Sequence, residues 1–194
     1  MKYRAAFALA AIVSLSGCGI NSVPTAEENA KAKWGDVQNN YQRRADLIPN
    51  LVATVKAAGA QEKSILVEVT QARASASQVK ISGADLTDPA KVAAYEQAQA
   101  GVTLSLQRLQ EAYPELKSQG NYTTLMSQLE GTENRIAIAR RDYNAAVQSY
   151  NTTIRTFPDA VGAKIFYGAK PMVPFQATTP GAEAAPAVNF GNSN

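Results

Sequence analysis

Residues 39–52 read Asn39-Asn40-Tyr41-Gln42-Arg43-Arg44-Ala45-Asp46-Leu47-Ile48-Pro49-Asn50-Leu51-Val52, and the fold turns on how this stretch is understood. Tyr41, Ile48, Val52 and Val55 recur at helical spacing, with Ala45 a small member between them, so one face is apolar. Asp46 lies three residues after Arg43 and four before Asn50, and such groups are neighbours on a helix surface. Pro49 has no N–H and its ring crowds the carbonyl of Ala45. The spacing therefore predicts one long helix that kinks or restarts at Pro49 and leaves a backbone acceptor free near Ala45.

Upstream, Thr25-Ala26-Glu27-Glu28 has the form of a capping box, so the helix is expected to begin at Thr25. Trp34 and Val37 extend the stripe, and Gly59 is placed to stop the helix after about Ala58. At about 1.5 Å per residue it would be roughly 45–50 Å long. A second helix is expected over 61–82, with Ile65, Val69, Ala72, Ala76 and Val79 facing inward. Asp88-Pro89 predicts the start of a third, with Asp88 at the N-cap and Pro89 at the first helical position. Val92, Tyr95, Gln99, Val102, Leu106, Leu109 and Tyr113 give that helix a heptad pattern, with polar Gln99 and Gly101 as its soft middle. Pro114 breaks the pattern and opens a connector to Asn121. A fourth helix, capped by Asn121 or Thr123, carries Tyr122, Leu125, Leu129, Thr132, Ile136, Ala139, Tyr143, Val147, Tyr150 and Ile154. Four apolar heptad stripes with short links predict an all-α fold, an up-and-down antiparallel four-helix bundle over 25–157.

The ends read differently. Lys2 and Arg4 precede an apolar run from Ala5 to Leu15, too short for a membrane span of about 20 residues. Leu15-Ser16-Gly17-Cys18 has the form of a bacterial lipobox, so residues 1–17 are expected to be a lipoprotein signal peptide. Cys18 would carry the covalent lipid, because acylation requires its sulfur. Gly19 is not the aspartate that marks inner-membrane retention, which favours the outer membrane. Residues 18–24 would be a tether. Residues 158–177 carry Ile165, Phe166, Tyr167 and Phe175 among Gly168, Pro171 and Pro174, predicting an extended strap that packs its aromatics on one end of the bundle. Residues 178–194 have too little apolar surface to offset ordering and are expected to be disordered.

Composition excludes much chemistry. The 194-residue chain has no histidine and one cysteine, which rules out Cys/His zinc sites, Glu-x-x-His di-iron sites, Ser-His-Asp or Cys-His catalysis and an internal disulfide. The net charge of +3 would fall to +1 without Lys2 and Arg4, a balance that does not suggest nucleic-acid binding. No cofactor is expected beyond the lipid on Cys18.

Two polar sets are candidate sites. Asn40, Arg43, Arg44, Asp46 and Asn50 surround the kink, as a partner or ligand site or as a solvated face with weak ion pairs. Glu133, Arg140, Asn144 and Asn151 step by seven, four and seven along one face of the fourth helix, with Glu130 beside them. They could meet Arg43, Arg44 or Asp46 across the bundle in a buried network that fixes register. Glu130 and Glu133 alone are a weak cation signal. Ser77-Gln78-Val79-Lys80 matches a Ser-x-x-Lys nucleophile pattern, but its companion motifs are absent and chance is the better reading.

The stretch Asn39–Val52 resembles the signature segment of the LemA family. Tyr113-Pro114-Glu115-Leu116-Lys117, Leu129-Glu130-Gly131-Thr132-Glu133-Asn134-Arg135-Ile136, Ala139-Arg140-Arg141-Asp142-Tyr143-Asn144 and Tyr150-Asn151 through Phe157-Pro158 resemble that family's C-terminal half. The resemblance implies a helical-bundle protein associated with bacterial membranes and without established enzymatic activity, and an adaptor role beside envelope proteases. The expectation is thus a non-enzymatic, lipid-anchored envelope protein that presents a rigid helical surface to protein partners, a membrane protease among them. The alternative is a bundle that binds a lipid or peptidoglycan fragment in a cavity near Pro49, lined by Tyr41, Tyr143 or Tyr150 with Arg and Asn nearby.

Overall fold

The computed structural model describes residues 21–59 and 63–176. The expected leader, Cys18 and the tail from Thr178 lie outside them. The described residues are helical, with turns and one extended segment and no strand. Helix α1 spans Ser22–Ala57, α2 Lys63–Gln78, α3 Pro89–Ala112 and α4 Gly120–Thr153. A short α5, Asp159–Gly162, continues as a wider helical turn over Ala163–Tyr167.

Helix α1 begins three residues before the expected cap. Thr25 is inside it, with its Oγ1 donating to the Asn21 carbonyl at 2.7 Å. Pro24 is tolerated there because first-turn N–H groups have no intrahelical partner. The helix continues through Pro49 to Gly59, whose φ of +87° suits only glycine and ends it as expected. Its core positions are Trp34, Val37, Tyr41, Arg44, Ile48, Leu51 and Val55, a strict alternation of three and four. The stripe expected from the sequence has Ala45 and Val52, one residue out of phase with Arg44 and Leu51. Helix α2 is buried at Leu66 rather than Ile65 and ends at Gln78, short of the expected Ser82. Ser82 instead caps a 3-10 turn, Gly83–Thr87, through a reciprocal bond set with Asp85.

Helix α3 starts as expected. Asp88 Oδ1 accepts from the N–H groups of Ala90 (2.9 Å) and Lys91 (3.4 Å), and Pro89 is the first helical residue. Within the connector, Pro114–Ser118 forms a single 3-10 turn. Helix α4 starts after Gln119, so neither Asn121 nor Thr123 caps it. Thr123 Oγ1 instead donates to the Gln119 carbonyl at 3.0 Å.

Contacts fix the directions. Ser22 meets Asp159, Trp34 meets Tyr143 and Arg44 meets Glu133, so α1 and the chain from α4 onward run antiparallel along their whole length. Glu68, near the start of α2, pairs with Arg108, near the end of α3, at 2.5 Å, and with the short link over 79–88 this sets α2 antiparallel to α3. Backbone packing is close within α1–α4 and within α2–α3, whereas α3 reaches α4 through long side chains, Glu96 to Arg140 at 3.7 Å. The apolar core has two parts. One surrounds Trp34, Tyr95, Tyr143 and Phe175; the other surrounds Ile48, Leu109, Tyr122 and Leu129. Arg44 lies at the level between them.

The C-terminal segment corrects the expected strap. Its first part, Asp159–Tyr167, is helical, and Ile165 and Phe166 face solvent instead of packing on the bundle. Gly168, at φ +53°, turns the chain, and only the segment after it, 169–176, runs without helix. Met172 and Phe175 are buried in the first core, along its side and not on its end.

Candidate functional site

The two predicted polar sets separate into three structures. The first is a single buried guanidinium. Arg44 is 2% exposed because it occupies a heptad core position. Its Nη1 donates to Glu133 Oε1 at 2.6 Å and Thr103 Oγ1 at 2.8 Å, and its Nη2 donates to the Gln99 side chain at 2.8 Å and the Gln99 carbonyl at 3.0 Å. The plane sits over the Tyr41 ring, 5.0 Å from its centroid. One side chain from α1 thus joins α3 to α4 where their backbones do not pack closely. Of the residues expected to meet across the bundle, the structure brings Arg44 and Glu133 together. Arg43, Asp46, Asn50 and Glu130 are exposed and outside that pair. Asp46 accepts from Gln42 at 2.7 Å, and Asn40 donates back to the Asp36 carbonyl at 2.8 Å.

The second structure is the proline acceptor. Arg73 Nε, on α2, donates to the Ala45 carbonyl at 2.8 Å. That carbonyl would have bonded the N–H that Pro49 lacks. The free acceptor predicted from the sequence is therefore occupied from within. A groove of about 310 Å³ lies beside it, lined by Tyr41, Arg44, Arg73, Lys80 and Tyr95. Tyr143 and Tyr150, expected in such a cavity, are elsewhere.

The third structure is a clasp. Asn144 and Asn151 each exchange two hydrogen bonds with the extended segment, at Phe175 (3.0 and 2.8 Å) and Met172 (2.8 and 2.8 Å). Seven helical residues rise about 10.5 Å. Three extended residues cover about 10 Å. The two rulers match, so the amides act as the missing neighbouring strand. Tyr143 donates to the Val173 carbonyl at 3.0 Å, Tyr150 to the Lys170 carbonyl at 3.1 Å, and Arg140 to the Gln176 carbonyl at 2.7 Å. Arg140 also lies over the Phe175 ring, 4.6 Å from its centroid. The far edge of the segment is held as well: Val173 N–H donates to the Leu86 carbonyl at 2.9 Å and Gln176 N–H to Glu96 at 3.0 Å. Burial pushes the Glu96 carboxyl above its ordinary value, against the Gln176 N–H and Arg140, which favour its charge. Phe175 stacks on Trp34 at 5.5 Å and meets Tyr143 edge-on at 5.4 Å.

These groups are matched to protein partners and not aimed at a common point, so the arrangement holds helices and chain together. Ser77 Oγ donates to the Arg73 carbonyl at 2.9 Å and Lys80 lies beyond the end of α2, so Ser77 and Lys80 do not share a helical turn. Among the described residues no three acidic or cysteine groups gather as a metal site. Sequence reasoning missed Arg73, Thr103 and Met172. For Arg44 a signal was present, since it lies three residues from Tyr41 and four from Ile48.

Among the described residues, a heptad-packed helix pair, a buried arginine and a clasped C-terminal segment define a class of helical packing. The chain belongs to the LemA family, whose model matches residues 33–190. It is similar to magnetosome protein MamQ 2 of Paramagnetospirillum magneticum (strain ATCC 700264 / AMB-1), 30% identical over 157 residues and 71% of this chain. It is also similar to magnetosome protein MamQ of Magnetospirillum gryphiswaldense (strain DSM 6361 / JCM 21280 / NBRC 15271 / MSR-1), 29% identical over the same share. The match spans 58% of the length of these relatives.

Proposed function

We propose that this protein is a lipid-anchored, non-catalytic component of the bacterial envelope that presents a stiff helical surface to protein partners. The packing is read as an up-and-down four-helix bundle. Cys18 is read as the acylated residue, with outer-membrane delivery favoured by Gly19. The observation that carries the reading is the internal use of the polar inventory. Arg44, Arg73, Asn144 and Asn151 are all occupied in joining helices and chain, which suits a rod built for rigidity. The relatives' name gives a location, the magnetosome, and no reaction. A membrane-associated setting and an adaptor role toward an envelope protease are part of this reading.

The test is envelope fractionation of wild type and Cys18→Ser, with fatty-acid labelling, followed by cross-linking of the wild type. Label on the wild type alone, and a reproducible cross-linked protein, are expected. Equal label on both, or no reproducible partner, would overturn it. A second reading, binding of a lipid or peptidoglycan fragment, is favoured by the 310 Å³ groove beside Pro49 with Arg73 and Lys80 on its wall. Saturable binding of such a fragment, abolished by Arg73→Ala, would replace the first reading.

A further inference from the structure

One end of the molecule carries an apolar surface that the core does not use. Phe157 is 86% exposed, Val161 50%, Ile165 69% and Phe166 66%, with Tyr167 exposed beside them. All lie in the turn between α4 and the clasped segment. Val161 and Ile165 are one helical turn apart, so the short helix shows an apolar side outward. The segment 155–170 is net basic, with three cations against one acid, Asp159. Arg155, Lys164 and Lys170 are exposed, whereas the acid of this segment, Asp159, accepts from Ser22 Oγ at 2.5 Å.

That last bond also locates the surface. Ser22 is the first residue of α1, so the aromatic turn and the start of the rod share one end. Cys18 is four residues before Ser22, within about 14 Å even for a fully extended chain. We propose that this end is a membrane-interface wedge: Phe157, Val161, Ile165 and Phe166 enter the boundary of a lipid leaflet while Arg155, Lys164 and Lys170 meet its anionic headgroups. Exposed aromatics beside basic groups are the pattern that favours the interface over water. Basic residues near an anionic surface add attraction that falls off within a Debye length. The wedge would stand the rod on end, placing the Pro114–Ser118 turn about 50 Å from the lipid. The proposal borrows from the envelope reading only the nearness of an acylated Cys18.

The experiment places a tryptophan at the wedge. Full-length protein carrying Phe166→Trp is reconstituted into phosphatidylethanolamine–phosphatidylglycerol vesicles with brominated acyl chains. Buried Trp34 is subtracted using wild type, and Lys117→Trp marks the opposite end. Blue-shifted, bromine-quenched emission at 166 with unquenched emission at 117 is expected. Lys164→Glu with Lys170→Glu should reduce the quenching in anionic vesicles and leave it unchanged in neutral ones. Water-like, unquenched emission at 166 overturns the wedge. A blue shift without bromine quenching overturns it in favour of a second copy of the chain covering the patch. Equal quenching at both ends overturns the upright orientation. Intact mass of the same sample reads Cys18 separately. Acylated protein with a solvated 166 position refutes the wedge alone, and quenching of unacylated protein refutes the anchor alone.

Discussion

Replacing Asn144 by alanine should release the C-terminal segment, and the loss can be worked from the clasp. The substitution deletes two partly buried hydrogen bonds, one accepted from the Phe175 N–H and one donated to the Phe175 carbonyl. At about 1 kcal/mol net each, the cost is about 2 kcal/mol, or roughly a 30-fold rise in the open population. Asn151→Ala deletes the equivalent pair at Met172 and should cost about the same. The double variant should cost less than the sum, because both residues hold one segment and a segment already released cannot be released again. The assay is built in. Trp34 is the sole tryptophan and Phe175 stacks on it, so undocking exposes Trp34 and shifts its emission to the red. Urea denaturation and amide exchange at Val173 and Phe175 give the energy. Asn144→Asp adds a sign test. A carboxylate facing the Phe175 carbonyl should have a raised folded-state pKa, so stability is present at low pH and lost as pH rises through that value. An unchanged urea midpoint and unchanged Trp34 emission in Asn144→Ala would refute the clasp.

Arg44→Ala should cost about 3–5 kcal/mol, since it leaves a cavity and strips the Gln99 and Glu133 acceptors of their donor; Arg44→Met should cost much less, and urea midpoints compare the two. Pro49→Ala restores the N–H that the Ala45 carbonyl lacks, so it should stabilise by about 1–3 kcal/mol. In that background Arg73→Ala should lose most of its cost, and a double-mutant cycle with no coupling would refute the pairing. The phenols of Tyr41, Tyr95 and Tyr143 are pushed above their ordinary value, first by burial. Raised folded values mean full stability below the unfolded phenol value of about 10 and a loss above it. A urea midpoint that stayed flat from pH 9 to 11 would contradict this.

The wedge and the buried arginine show where reading a sequence stops. The turn from Phe157 to Tyr167 carries aromatics that a linear reading assigns to the core, because apolar residues near a bundle are ordinarily buried by it. The structure divides them. Phe175 lies three residues from Met172, a spacing that the Asn144–Asn151 rise matches, and is drawn inside. Ile165 and Phe166 precede the Gly168 turn and have no such ruler to follow. Likewise Arg43 and Arg44 are chemically identical neighbours. One residue of helix is about 100° of rotation, and that alone separates a solvated charge from one 2% exposed.

The sequence by itself determined the four long helices, the Asp88-Pro89 start, the glycine stop at Gly59 and the family, because periodicity, caps and breakers act within a few residues of each other. It also showed that Pro49 must leave an acceptor open at Ala45. What only the tertiary structure decided was who answers: Arg73 from α2 for that carbonyl, Gln99, Thr103 and Glu133 for Arg44, and the backbone of Met172 and Phe175 for two asparagines. Those partners lie 21 to 89 residues away along the chain. A polar group's need is written in its own chemistry, but the group that meets it is chosen by how whole helices pack.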